Sequence, residues 1–327
     1  INTGRAFGSN SPIGTTTAGL IAGGLPGTQD VTEEYNGTSW AEQNDLNTGR
    51  GYLSGFGTQT AGMVVGGTAP APTPVANLES YDGTSWTELA DINNSRSRGT
   101  AAGTSTFGLF YTGNQNPTGT RVAHTELWDG TAWTETTDVS TGRNRGGGGG
   151  TGSSAIMAAG HDASTDVTST EEWAFTTTLA AGVWASGGNL NASKGVMGHA
   201  GNQTAGLVFG GNAPGDSDLV ETESYDGSSW TEVNDLNLGR QGGGGAGTQT
   251  AAIYFGGDVP PSPNGSNAKD ETETFDGSSW TEVADLNTTR GTCAGAGITT
   301  AALCIGGLKP SFRDETETFD GSSWTEV

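Results

Sequence analysis

A basic residue recurs at one position of the chain, and it is the first feature of the sequence that could bind a ligand. It stands five residues after the Asp or Asn of an element that reads D-L-N in its most regular copies. Guanidinium groups bind carboxylate and phosphate through two parallel hydrogen bonds. The members of this basic ring are Arg5, Arg50, Arg96, Arg143, Lys194, Arg240 and Arg290.

Two interpretations of the basic ring are open. In the first, each cation pairs with a nearby acid and joins neighbouring parts of the fold, and a residue repeated in every copy favours this structural role. The acids in question are Asp45, Asp91, Asp138, Asp235 and Asp285. In the second, the ring binds an anion, such as an acidic glycan, a carboxylate or an acidic segment of a partner. Arg98 and Arg145 follow ring members by two residues, so strand alternation predicts them on the same strand face, where they would increase the positive charge.

The elements that must position these residues are internal repeats. The phrase YDGTSWTEL at Tyr81 recurs as YDGSSWTEV at Tyr225 and FDGSSWTEV at Phe275 and Phe319, with weaker copies at Tyr35 and Trp128. Trp173 and Trp184 supply a disguised copy in the remaining gap. The anchoring tryptophans then recur at intervals of 44 to 51 residues, which makes seven repeats. They are Trp40, Trp86, Trp133, Trp184, Trp230, Trp280 and Trp324.

Each repeat predicts four short antiparallel strands, A to D. A glycine-rich run precedes a turn and an apolar run, a variable loop follows, and then comes an alternating segment such as ETETF. Asp-Gly follows that segment, and both residues accept the positive φ that a tight hairpin turn requires. Four strands in about 45 residues indicate a β-propeller blade. The D–A and B–C connections must then share one face, so the basic ring lies beside the variable loops near the mouth of the central channel.

The sequence resembles the kelch-repeat family through the diglycines at Gly23, Gly66, Gly210, Gly256 and Gly306, each followed by an aromatic residue and then the Trp. Blades 3 and 4 depart from the pattern, with TGN at Gly113 and AGH at Gly160. The phrasing DLNTGR, GTQTA and DGTSW also resembles kelch-like proteins of aquatic tailed phages and environmental bacteria. The resemblance implies an all-β, seven-bladed, kelch-like propeller that spans residues 1–327 as one domain. Its blades are expected at about 1–43, 44–89, 90–136, 137–187, 188–233, 234–283 and 284–327.

Blade closure and packing follow from the same repeats. The chain opens in the entry to a strand A and stops after a strand D, so we expect closure without strand exchange between the termini. Large aromatic side chains should fill the space between blades. Glycine-rich A strands belong nearest the axis, where side chains would clash. The expected anchors are the seven tryptophans above with their partners Tyr35, Tyr81, Trp128, Trp173, Tyr225, Phe275 and Phe319.

Charge and hydropathy exclude several classes of partner. The chain has 36 acidic and 13 basic residues and a net charge of −23. Such a field repels a phosphate backbone, so we expect no nucleic-acid partner. No apolar run approaches the roughly 20 residues of a membrane helix, so we expect no membrane insertion.

Residues for catalysis or metal binding are sparse. His124, His161 and His199 show no metal-ligand spacing, and the sequence predicts neither a metal site nor a cofactor. Cys293 and Cys304 fall on strands A and B of blade 7, about equally far from the intervening turn. They could lie directly opposite each other and form a disulfide, or they could be two small buried apolar residues, which we favour.

The sequence therefore predicts a non-enzymatic structural and recognition module of an extracellular assembly. The expected setting is a virion accessory protein of a tail, fibre or capsid surface. Its partners would be other structural proteins of the assembly, further copies of itself, and an acidic glycan on a host surface. The alternative is a lectin or a sialidase-like, glycan-active enzyme that uses the basic ring, because sialidases also place an arginine cluster in a propeller.

Overall fold

The repeated Asp-Gly element forms a four-residue loop between the last two strands of a blade. The computed structural model describes residues 1–6, 13–115, 117–176, 181–213, 217–259, 267–309 and 311–327. In blade 2, Tyr81 pairs with Trp86, and Asp82 Oδ1 accepts hydrogen bonds of 2.8 Å from both backbone amides that precede the Trp. Gly83 has φ 94°, whereas Asp82 is absent from the left-handed region. The hairpin is confirmed, but Asp acts through its carboxylate and not through a positive φ.

The described residues form thirty strands and no helix. Blade 1 contains β1 (Ile13–Thr15), β2 (Ala18–Ala22), β3 (Thr32–Tyr35) and β4 (Trp40–Glu42). Blade 2 contains β5 (Ser54–Thr58), β6 (Ala61–Val65), β7 (Leu78–Tyr81) and β8 (Trp86–Glu88). Blade 3 contains β9 (Thr100–Thr104), β10 (Phe107–Tyr111), β11 (Thr125–Trp128) and β12 (Trp133–Glu135). Blade 4 contains β13 (Gly147–Gly150), β14 (Ser154–Ala158), β15 (Thr170–Thr176) and β16 (Ala181–Ser186).

The remaining three blades follow the same order. Blade 5 contains β17 (Gly198–Asn202), β18 (Ala205–Phe209), β21 (Thr222–Tyr225) and β22 (Trp230–Val233), and its B–C connection carries a small hairpin of β19 (Asn212–Ala213) and β20 (Ser217–Asp218). Blade 6 contains β23 (Gly244–Thr248), β24 (Ala251–Phe255), β25 (Thr272–Phe275) and β26 (Trp280–Val283). Blade 7 contains β27 (Ala294–Ile298), β28 (Ala301–Lys309), β29 (Ser311–Phe319) and β30 (Trp324–Glu326).

Every blade is a four-stranded antiparallel sheet whose strands pair in chain order. Each sheet is therefore built from one continuous segment, as predicted. The all-β fold, the seven blades and the four strands per blade are confirmed: this is a seven-bladed β-propeller. Within the described residues there is no helix long and apolar enough to cross a bilayer.

The hydrophobic core lies between the blades. Each buried cluster in the described residues combines side chains of two neighbouring blades; Leu20 of blade 1, for example, packs with Val64 and Trp86 of blade 2. Ile21 of blade 1 packs with Leu303 of blade 7, so the same contact closes the ring. Burial of apolar surface between blades is therefore what holds the circle together, at about 25 cal/mol per Å².

The aromatic anchors meet as pairs in all seven blades, with ring centroids 4.9 to 5.7 Å apart. The disguised pair, Trp173 and Trp184, is the widest at 5.7 Å. In five blades the Trp Nε1 donates to a Thr hydroxyl of the preceding blade, as in Trp280 to Thr222 at 2.9 Å. The other four such donors are Trp86, Trp184, Trp230 and Trp324. Trp133 Nε1 has no partner among the residues that the structure describes, because Leu78 occupies the position of that Thr.

Glycine is required in the inner strands by their close approach around the axis. A Cβ atom on Gly295 of blade 7 would lie 2.7 Å from the backbone nitrogen of Gly245 in blade 6. No side chain fits at that distance, which explains the glycine-rich A segments. Glycines of the A strands therefore line the channel, as at Gly55, Gly148 and Gly244.

Candidate functional site: the channel mouth

The seven cations of the basic ring are fully buried, each with 0 % of its surface exposed. Each forms an ion pair with a glutamate of strand C in its own blade: Glu33, Glu79, Glu126, Glu171, Glu223, Glu273 and Glu317. In blade 2 the Arg50–Glu79 distance is 3.0 Å, and in blade 5 the Lys194–Glu223 distance is 3.1 Å. The prediction that the ring itself forms a ligand-binding face is wrong, because no part of these side chains reaches solvent.

The predicted partners of the ring are wrong as well. Asp138, Asp235 and Asp285 instead accept a hydrogen bond from the first backbone amide of their strand C, at 3.0, 3.3 and 3.1 Å. The glutamates pair with the cations instead, because they lie on strand C, to which the segment before strand A is hydrogen-bonded. The ring is therefore structural, but it joins segments within one blade and not adjacent blades.

The glutamate also binds the segment that enters the blade. Glu79 Oε2 accepts hydrogen bonds from the backbone and the side-chain amide of Asn47, at 2.7 and 2.9 Å, while Oε1 accepts one from Arg50. Asn93, Asn191, Asn237 and Asn287 repeat this arrangement. This Asn–Glu–Arg latch fixes the linker before strand A and so determines where the next residues point.

Two residues after the ring cation, the backbone of blades 2 to 7 enters the left-handed region. In the six blades where this position is described, φ lies between 49° and 66°, although only one of the residues is glycine. The residues, here called the left-handed ring, are Tyr52, Arg98, Arg145, Val196, Gly242 and Thr292. The equivalent residue of blade 1, Phe7, lies outside the described residues. Hydrogen bonds link neighbours around the ring, as from Arg98 N to Tyr52 O and from Gly242 N to Val196 O, both 3.0 Å.

The left-handed conformation turns these residues away from the buried ring cations and towards the channel. All six line a central cavity of about 900 Å³. Arg98 is half-buried and Arg145 is exposed, whereas Arg96 and Arg143 beside them are fully buried. The prediction that Arg98 and Arg145 share the strand face of the ring cations is therefore wrong, because a left-handed residue breaks strand alternation.

Arg98 and Arg145 form a positive cluster on one wall of the channel. The Arg98 guanidinium lies 3.9 Å from the centroid of the Tyr52 ring, a cation–π contact. Burial lowers the pKa of Arg98, and the charges of Arg145 and Arg121 lower it further. In the described part of the chain, neither Arg98 nor Arg145 forms an ion pair.

Asn212 of blade 5 and Asp258 of blade 6 line the same cavity. Each follows a diglycine of the B–C connection, and Asp258 is only 3 % exposed. Among the described residues its Oδ1 has no hydrogen-bond partner, and neither has Asn212 Oδ1. Burial raises the pKa of Asp258 to about 6. Neither residue was predicted from the sequence. The signal was that Asp258 and Asn212 differ from most residues at the same position of the other blades, which are Leu25, Thr68, Asn114, His161 and Leu308.

The histidines do not form a joint site. His199 lies in the channel, where enclosure by the walls lowers its pKa and favours the neutral ring. His161 Nδ1 lies 3.1 Å from Asp166 Oδ1, and His124 lies 3.6 Å from Glu135 and from Asp138. Within the described ranges, no cluster of three or more His, Cys, Asp or Glu side chains is arranged to hold a metal ion.

The two cysteines are free thiols. Cys304 pairs with Gly295 across the hairpin, and Cys293 precedes strand β27 by one residue. The expectation that they lie directly opposite each other is therefore wrong, because the turn is centred one residue later than predicted. Cys304 is fully buried, which raises the pKa of its thiol, and it packs with Phe255 and Trp324 as a small apolar residue would.

Comparison with known proteins supports the fold but assigns no family and no function. No protein-family model matches the chain, and no curated protein matches it. Its structure is similar to that of YjhT, with a TM-score of 0.66, at 11 % sequence identity over 86 % of this chain and 97 % of the other. The likeness is one of fold. At that identity it carries no site residue across, and the kelch and phage resemblances stay predictions.

Proposed function

We propose that this propeller is a non-enzymatic recognition module of an extracellular assembly and that it binds an anionic group of its ligand at the channel mouth. The observation that carries this proposal is the pair Arg98 and Arg145, which face the cavity without an ion-pair partner while every ring cation has its own glutamate. In a chain of net charge −23, two adjacent unneutralised guanidinium groups stand out.

The geometry at Arg98 suits a planar anion. Its guanidinium is held against the Tyr52 ring, which limits its freedom and leaves hydrogen-bond donors for a ligand. The nearby charges of Arg145 and Arg121 disfavour the free state and favour the bound one. A carboxylate or comparable oxyanion would relieve this repulsion and form charge-assisted hydrogen bonds.

The opposite face of the propeller supports a docking role. Its C–D loops repeat one exposed structure, in which an Asp carboxylate accepts backbone hydrogen bonds from the loop, as at Asp82 and Asp276. Those bonds lower the pKa of Asp276 to about 2, so the face stays acidic. We propose that this face contacts structural proteins of the assembly, and the phrasing of the repeats favours a virion accessory protein.

Binding to acidic and neutral glycans tests the proposed function. We expect the wild-type protein to bind acidic glycans on an array, and Arg98→Ala with Arg145→Ala to weaken that binding about tenfold or more, since hydrogen bonds to charged groups are lost. Arg98→Lys keeps the charge but not the paired hydrogen bonds, so it should bind with intermediate affinity.

Arg313→Ala is the matched control, because Arg313 lies on the β28–β29 hairpin, away from the cavity, and pairs with Glu315 at 3.3 Å. Its binding should equal that of the wild type. Equal binding of acidic and neutral glycans, or an unaffected double variant, would overturn the anion site. Turnover of a bound glycan would overturn the non-enzymatic role.

A further inference from the structure

The left-handed ring divides the channel mouth into two unlike halves. Tyr52, Arg98 and Arg145 come from the consecutive blades 2, 3 and 4, and two of them are cationic. Val196, Gly242 and Thr292 come from blades 5, 6 and 7 and carry no charge. Among the six described members of the left-handed ring, the cations therefore lie on one wall only. A ligand that fills the mouth meets uncharged residues of this ring on the other wall.

The other wall carries unpartnered acceptors. Asp258 of blade 6 is three blades from Arg98 in a ring of seven, so the two residues lie on nearly opposite sides of the channel. Its carboxylate packs against Gly291, where a Cβ atom would lie 2.0 Å from Asp258 Oδ2. A buried acceptor without a donor is unfavourable by about 1–3 kcal/mol, and a donor on a ligand would remove that penalty. Asn212 Oδ1, in the neighbouring blade 5, is a second acceptor of the same kind.

We propose that Asp258 and Asn212 form a second subsite, for the hydroxyl hydrogens of a sugar-sized hydroxy acid whose single carboxylate binds Arg98 and Arg145. This inference rests on the proposed anion site and adds the other end of the ligand. Hydroxyl groups fit because they donate to Asp258 while carrying no charge of their own. The cavity of about 900 Å³ has the size of sites that take small molecules.

The same arrangement disfavours polyanions. A second anionic group of the ligand would lie near Asp258 or near the uncharged residues of blades 5 to 7. The net charge of −23 adds a general repulsion. A sulfated polysaccharide is therefore expected to bind less tightly than a glycan with one terminal carboxylate.

Titration calorimetry with three probes tests the second subsite. The probes are an oligosaccharide that ends in a uronic acid, cyclohexanecarboxylate, which has the carboxylate without hydroxyls, and a heparin fragment. We expect the wild type to bind the uronic acid best. Asp258→Asn and, separately, Asn212→Ala should weaken its binding several-fold and leave the binding of cyclohexanecarboxylate unchanged. Asp30→Asn, an exposed Asp on the blade 1 loop, is the matched control and should change neither.

The outcomes separate this subsite from the anion site. If Asp258→Asn and Asn212→Ala, both folded and melting no lower than the wild type, bind the uronic acid as the wild type does while Arg98→Ala does not, the subsite is overturned and the proposed function stands. If Arg98→Ala also binds normally, both are overturned. Tighter binding of the heparin fragment than of the uronic acid would overturn the assignment of a single-carboxylate ligand.

Discussion

Asp258 combines features that oppose folding and favour binding. Asp258 is 3 % exposed, and its Oδ1 has no donor in the described part of the chain. Burial raises its pKa to about 6, above the ordinary value of 3.8. Residues held in this way, at a stability penalty that the surrounding structure tolerates, are frequent at functional sites. The effect of this carboxylate on the free energy of unfolding can therefore be measured without a ligand.

We predict that Asp258→Asn stabilises the protein at pH 7.5. A group whose pKa is higher in the folded state destabilises it wherever the group is ionised, here above about pH 6. The penalty should shrink as the pH falls through 6 and be nearly gone at about 4, close to the ordinary pKa of 3.8, because the carboxyl of the folded protein is then protonated. Roughly 1–3 kcal/mol should separate the variant from wild type at pH 7.5, measured by denaturant unfolding.

The pH profile provides the control for this prediction. The two proteins should converge near pH 4, and Asp30→Asn should track the wild type throughout, because Asp30 is exposed. A difference that persists unchanged at pH 4 would show that the carboxylate is not its cause.

At the scale of the element, the Asn–Glu–Arg latch explains how side chains are presented to the channel. The linker is fixed to strand C through Asn47, Glu79 and Arg50 in blade 2 and through their counterparts in the other blades. With the linker fixed, the next residue can adopt φ > 0 and point to the axis. Non-glycine residues lose about 1–2 kcal/mol there, so the latch must stabilise a conformation that the chain alone disfavours.

Arg143 and Arg145 are two residues apart in one segment, and we predict that their removal changes stability by very different amounts. Arg143→Ala leaves Glu171 buried without its partner and should lower the free energy of unfolding by about 3–5 kcal/mol. Arg145→Ala removes an exposed side chain with no ion pair and should change stability by less than about 0.5 kcal/mol. Urea denaturation of both variants measures the difference, and equal losses would contradict the assignment of one as a latch and the other as a ligand contact.

At the scale of the whole molecule, charge is distributed unevenly. Seven of the 13 cations are neutralised in buried latch pairs, so few remain to offset the 36 acidic residues. The C–D face concentrates exposed carboxylates such as Asp226, Asp276 and Asp320, each with a pKa of about 2. Mutual repulsion of these charges should oppose the compact state.

We therefore predict that sodium chloride stabilises the propeller. Raising the salt from about 0.01 to 0.15 M shortens the Debye length from about 30 to 8 Å, which screens repulsion between surface carboxylates but not the buried pairs. The melting temperature should rise by a few degrees, measured by differential scanning calorimetry at pH 7.5. A fall in melting temperature would indicate that exposed ion pairs dominate the salt response.

The sequence by itself determined the blades. Aromatic and Trp pairs and Asp-Gly loops recur at fixed spacing, and each unit can bury its apolar face only against the next, so the count of seven and the anchors, including Trp173 and Trp184, follow from pattern alone. Tertiary structure decided the site. Arg96 and Arg98 look alike in sequence, but strand pairing brings Glu126 to the first, and a left-handed backbone turns the second into the channel. Asp258 becomes a candidate only in the folded structure, where its carboxylate packs against Gly291, because neither burial nor a missing donor can be read from a residue without its neighbours.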